Sequence, residues 1–150
     1  MGEEGARAKA RTGGVVPEEI PEVAALARFI QACAAAGVPF KATAGLHHLV
    51  RAEHPLSYGP DAPRATMHGF LNVFAAAAFA HRGLGAVEIE SVLREERPSA
   101  FALAAEDLRW RDRRVSASEL RATRERLACS FGSCSFAEPV ADLKAMGVIA

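Results

Sequence analysis

The stretch VPFKATAGLHH, residues 38–48, decides the fold. An apolar lead-in alternates for a few residues, places a lysine mid-strand and ends in small residues and a glycine. That pattern reads as a strand, VPFKATAG, running into a turn. Two adjacent histidines follow at once. The chain holds only five histidines and, besides fifteen arginines, three lysines, so finding Lys41, His47 and His48 within eight positions marks this strand end as a candidate site.

Upstream, ARAKA (residues 6–10) alternates and stops at RTGG, a second short strand with a glycine turn. Between the two strands, PEEIPEVAALARFIQACAAAG (17–37) reads as a helix. Pro21 suits its first turn, Glu22 the positive end of its dipole, and Gly37 its stop. Val23, Leu26, Ile30 and Cys33 repeat at helical spacing. Strand, helix, strand implies a parallel pair and an α/β class.

Beyond residue 45, LHHLVRAEHPLSYGPDAPRAT (46–66) reads as a long polar loop rich in Pro and Gly, a length that often signals function. MHGFLNVFAAAAFAHRG (67–83) and AVEIESVLREE (86–96) read as helices. Residues 106–115 read as a small hairpin turning at Asp112 and Arg113. SASELRATRERLA (116–128) opens with Ser116 and Glu119 in a capping box. ACSFGSCSF (128–136) reads as a third strand and AEPVADLKAMGVIA (137–150) as a closing helix. The chain is expected to be a single α/β domain over residues 1–150.

All three strands end in small or polar residues, and parallel α/β folds bind ligands at the carboxyl ends of their strands. The three clusters should therefore meet on one face. In this reading Lys41 is a Schiff-base nucleophile if burial lowers its pKa, with Lys9 adding a second charge. Otherwise it is an anion anchor or a cation reaching solvent. His47 or His48 supplies acid–base chemistry near neutrality. Arg11, Thr12, Gly13 and Gly14, with Gly132, Ser133 and Ser135, would hold an anion through a guanidinium and free backbone N–H groups. His68 and Asn72, four apart, could look back at the strand ends. Cys134 is either an activated thiolate or a small core residue. A metal hydrolase using His47, His48 and His54 is the alternative, although neither HExxH nor a His-x-His strand pair is present. No cofactor is assigned.

The bulk numbers exclude several classes. Half of the 150 residues are hydrophobic, enough for one core, and the net charge is zero. No basic excess points to nucleic acid. The longest apolar stretch, 70–80, is short of the ~20 residues that cross a bilayer. An odd cysteine count (33, 129, 134) and an N-terminus without an apolar run point to a reducing cytoplasm.

At AKARTGG (8–14), PFKATAGLHH (39–48), HGFLNV (68–73) and SFGSCSFAEPVADLKAMGVI (130–149) the chain resembles a family of uncharacterised conserved bacterial proteins of the actinobacterial type. Members are about twice this length, as for a (β/α)-barrel. The resemblance places this chain at their C-terminal half. A weaker similarity links Lys41-Ala42-Thr43-Ala44-Gly45 to the KTSTG strand end of deoxyribose-phosphate-type class I aldolases, which implies a Schiff-base lysine at Lys41. The two histidines and the long loop depart from that pattern. The expectations are thus an α/β chain resembling the last part of a TIM-type barrel, and lyase or aldolase chemistry on a small anionic metabolite. A non-catalytic fragment or interaction protein is a further alternative. Three parallel strands cannot close a barrel, so a homo-oligomer or a missing N-terminal half is expected to complete it.

Overall fold

The computed structural model describes residues 5–150. In chain order the elements are β1 (Ala8–Arg11), α1 (Val23–Ala36), β2 (Phe40–Thr43), β3 (Ala52–Pro55), β4 (Arg64–Met67), α2 (Phe70–His81) and α3 (Ala86–Arg94). Then follow β5 (Phe101–Leu103), β6 (Asp107–Trp110), β7 (Arg113–Ser116), α4 (Ala117–Arg126), β8 (Ala128–Phe131) and α5 (Ala137–Ala145). Single 3-10 turns sit at Pro17–Glu19 and Pro98–Ala100.

β1, β2 and β8 form a parallel sheet in the order β1-β2-β8, so the chain is of mixed α/β type. The register pairs Lys9 with Lys41 and Lys41 with Ser130. Alternation along the strands separates two faces. Phe40, Ala42 and Ala128 are buried among the helices, whereas Lys9, Lys41 and Ser130 lie exposed on the opposite face. Lys41 therefore lacks the burial expected of a Schiff-base amine.

α1 begins later than its sequence suggests. Pro17–Glu19 is a 3-10 turn, Glu22 is the N-cap, and Pro21 lies outside the helix, where its carbonyl accepts from His68. Val23, Leu26, Ala27, Ile30 and Cys33 form the buried stripe, and Gly37 ends the helix in the left-handed region at φ 64°. α2 is buried continuously from Leu71 to Ala80. A helix apolar all round belongs in the core, and its four consecutive alanines let neighbouring helices approach closely. It packs against α1 and α3, and α3 contributes Ile89, Val92 and Leu93.

The segment expected to be a featureless loop holds an antiparallel hairpin, β3–β4, with Ala52 opposite Met67 and His54 opposite Ala65. Its signal was masked because AEHP and RATM lack a run of β-branched residues and three prolines lie at or near the strand ends. The hairpin at 106–115 turns one residue earlier, at Arg111 (φ 53°) and Asp112, and β5 makes it a three-stranded sheet. α4 carries the expected capping box: Ser116 Oγ accepts from the Glu119 N–H, and the Glu119 carboxylate accepts from the Ser116 N–H.

Candidate functional site

The carboxyl ends of β1, β2 and β8 converge because two glycines allow it. The Gly13 and Gly45 backbones abut, and a Cβ built on Gly45 would lie 2.5 Å from Gly13 Cα. Thr12 is buried and its hydroxyl donates to the Ala44 carbonyl at 2.5 Å. Ala44 (φ 62°) and Gly45 (φ 79°) then turn the chain through two left-handed residues. That turn brings His47 and His48 back over the strand ends. Thr12 and Gly13 thus serve this close packing rather than the anion binding expected of them.

These strand ends, the tip of the β3–β4 hairpin and the loop before α5 enclose a cavity of about 740 Å³. Arg11, Gly14, His47, His48, His54, Gly132, Ser133 and Cys134 all line it. So do Glu19, Tyr58 and Glu138, which the sequence did not single out. Much of the remaining wall is apolar: Val15, Pro55, Leu56 and Met67. Lys9, Lys41, His68 and Asn72 are not part of it.

His48 is the best-positioned titratable group. Its Nδ1 lies 3.2 Å from Asp142 Oδ2, and the same carboxylate accepts the Leu49 N–H at 2.8 Å. A carboxylate only accepts, so Nδ1 carries the proton and Nε2 is left as the basic atom. His48 also stacks on His54, with ring centroids 3.4 Å apart and planes 7° from parallel. Burial pushes the pKa of His54 down, and the neighbouring His48 adds to the effect. Burial likewise lowers His47, with Glu138 opposing and His48 assisting. Cys134 is exposed to the cavity with Sγ 3.6 Å from His47 Nε2 and 3.7 Å from Nδ1.

The charges in the cavity largely cancel. Arg11 Nη2 pairs with Glu19 at 2.8 Å, and its Nε donates to the Gly13 carbonyl. Glu19 also accepts the Val15 N–H at 2.8 Å, so the chain's own carboxylate fills the turn expected to hold an anion. Across the cavity Glu138 accepts from the Tyr58 hydroxyl at 2.8 Å and from Ser135 Oγ. The Tyr58 bond holds the Glu138 carboxyl below its ordinary range. Ser133 Oγ donates to the Ser135 carbonyl and accepts the Ser135 N–H, while Ser135 Oγ accepts the Ala137 N–H. The Gly132 N–H donates to the Ala42 carbonyl. These groups are spent on β2 and on the turn into α5, and leave little for an external anion.

His68 and Asn72 do not look back at the strand ends. His68 is fully buried before α2 and its Nε2 donates to the Pro21 carbonyl at 2.8 Å. Asn72 donates to the Val92 and Glu95 carbonyls and accepts the Arg51 N–H. Both tie elements together. The metal alternative lacks a geometry: among the described residues no three His, Cys, Asp or Glu side chains are placed to hold an ion. Stacked rings such as His48 and His54 do not aim their nitrogens at one point. Glu138 and Asp142 are four apart on one face of α5, a spacing that could have flagged them together.

Comparison with models of known protein families, with curated proteins and with solved structures found no match to this chain. Among the described residues, no helix is long and apolar enough to cross a membrane.

Proposed function

We propose that the protein is an enzyme performing general acid–base chemistry on a small, weakly charged molecule held in the strand-end cavity. One observation carries this reading: His48, on the cavity wall, is backed by Asp142, with Nδ1 engaged by the carboxylate and Nε2 left as the basic atom. A carboxylate that fixes an imidazole tautomer is the arrangement a general base needs. The cavity volume lies in the range of small-molecule sites. Its apolar wall and the Arg11–Glu19 pair favour a neutral or cationic substrate over the anionic metabolite read from the sequence.

The test is turnover. A panel of small esters, amides, aldehydes and keto compounds is incubated with the protein in D2O and followed by proton NMR. The reading expects conversion, or solvent deuterium at carbon, in at least one compound. His48→Gln should abolish it and Asp142→Asn should reduce it. No conversion and no exchange across the panel, or activity indifferent to His48, would overturn it.

A second reading keeps the barrel-like and Schiff-base expectations as proposals, and one observation favours it. The sheet face bearing Lys9, Lys41 and Ser130 is exposed, whereas parallel sheets are ordinarily covered on both sides. A second copy or further strands over this face would enclose Lys41. Native mass by light scattering tests it: a defined oligomer supports coverage by a second copy, and a stable monomer opposes it.

A further inference from the structure

We propose that Cys134 is the nucleophile of this site, that His47 takes its proton, and that the substrates are acyl compounds with a small apolar acyl group. The proposal rests on the acid–base reading above and adds a covalent step to it.

Cys134 is set apart from the other two thiols. Cys33 is buried in α1, and burial raises its pKa. Cys129 lies on β8 itself, with its sulfur toward the Glu125 and Leu127 carbonyls. Only the Cys134 sulfur sits against an imidazole within the cavity, and its exposure excludes a role as a small core residue. Burial pushes the pKa of His47 down, against Glu138, which favours its neutral, proton-accepting form. The sulfur is nearly equidistant from both ring nitrogens, a loose apo arrangement of the kind that tightens when substrate binds.

The substrate class follows from having two imidazole systems at one cavity. In the first half-reaction the Cys134 thiol proton passes to His47 and an Sγ–C bond forms at the acyl carbon. The adduct collapses, the bond from that carbon to the leaving group breaks, and the leaving group departs with the proton held on His47. In the second, His48 takes a proton from water as the water oxygen bonds to the acyl carbon. The C–S bond then breaks and the sulfur regains the proton from His48. One acyl compound and one water give one carboxylic acid and one protonated leaving group. Val15, Leu56 and Met67 supply the apolar wall for the acyl chain.

The test reads the thiol directly, with iodoacetamide and p-nitrophenyl acetate as probes and peptide mass spectrometry as readout. Cys134 should be alkylated at pH 7 about tenfold faster than Cys129, because only its sulfur lies against an imidazole in the cavity. His47→Gln should remove that advantage and move the rate–pH profile upward. His48→Gln should leave acetylation of Cys134 intact and let the acetyl adduct accumulate. Equal rates at Cys134 and Cys129 in the native protein, needing no variant, would overturn the proposal. So would acetylation of Cys134 that clears equally fast with and without His48. Labelling does not require turnover, so its failure leaves the His48 reading standing, whereas an inert deuterium panel with a fast Cys134 would sink only the latter.

Discussion

Asp142→Ala should unhook α5 from the cavity while leaving the core folded. None of the α5 residues is buried, and only Leu143, with Met146 at the C-cap, packs in part against the core. The helix is therefore held mainly through side chains, and Asp142 supplies two of those contacts. Its bond from the buried Leu49 N–H, at 2.8 Å, is of the charge-assisted kind that contributes about 1.5–3 kcal/mol. Its 3.2 Å contact with His48, whose side chain is 17% exposed against 31% for Asp142, adds only about 0.5 kcal/mol after solvent screening. Together they set a local cost of about 2–3.5 kcal/mol, or about 30- to 400-fold more opening of α5. Hydrogen exchange should show amides 140–146 of the variant exchanging faster by that factor, with amides 73–80 of α2 unchanged. The reasoning is refuted if α5 exchanges as in the native protein, or if α2 is released with it.

Three further outcomes follow from the same geometry. Gly45→Ala meets a left-handed backbone and a Cβ 2.5 Å from Gly13 Cα, and should cost about 2–5 kcal/mol. Gly13→Ala, without the positive φ, should cost less, and equal midpoints of denaturant unfolding for both variants and the native chain would contradict this. Glu95 is 4% exposed and held by Arg97, against its burial and with help from Arg111, so that its carboxyl falls from 4.5 to about 2. A lowered carboxyl pKa stabilises above its unfolded value, so about 3 kcal/mol at most should vanish as pH falls from about 5 to about 2. The stability gap between native protein and Glu95→Gln should close over that window, and a gap independent of pH would be the wrong result. Borohydride with a carbonyl panel should mark Lys41 no faster than Lys9 or Lys144, since Lys41 is exposed. Selective trapping at Lys41 would reinstate the Schiff-base reading.

The β1-α1-β2 unit was legible because each element carries its own punctuation: a glycine turn, a helical stripe ended by Gly37, an alternating strand. The capping box at Ser116 was legible for the same reason. The β3–β4 hairpin was not, since its residues lack strand propensity and prolines lie at or near its strand ends. At the strand ends, residue type misled. Thr12 and Gly13 look like an anion cradle, but their chemistry is consumed by the Ala44 carbonyl and by the Gly45 backbone. His47, His48, His54 and Cys134 were visible as chemistry, but their partners were not. Asp142 lies 94 residues from His48 and Cys134 lies 87 from His47, and no local pattern encodes such contacts. Asn72 and His68 show the converse: polar side chains with suggestive spacing that the fold uses as internal struts.

The central claim is that Asp142 holds His48 as a base with Nε2 free. Long-range proton–nitrogen NMR of the imidazoles, at about pH 9 where the rings are neutral, reads this without a substrate. The account predicts the Nδ1–H tautomer for His48 in the native protein, lost when Asp142 is replaced by Ala. An Nε2–H tautomer, or a spectrum unchanged by Asp142→Ala, would contradict it.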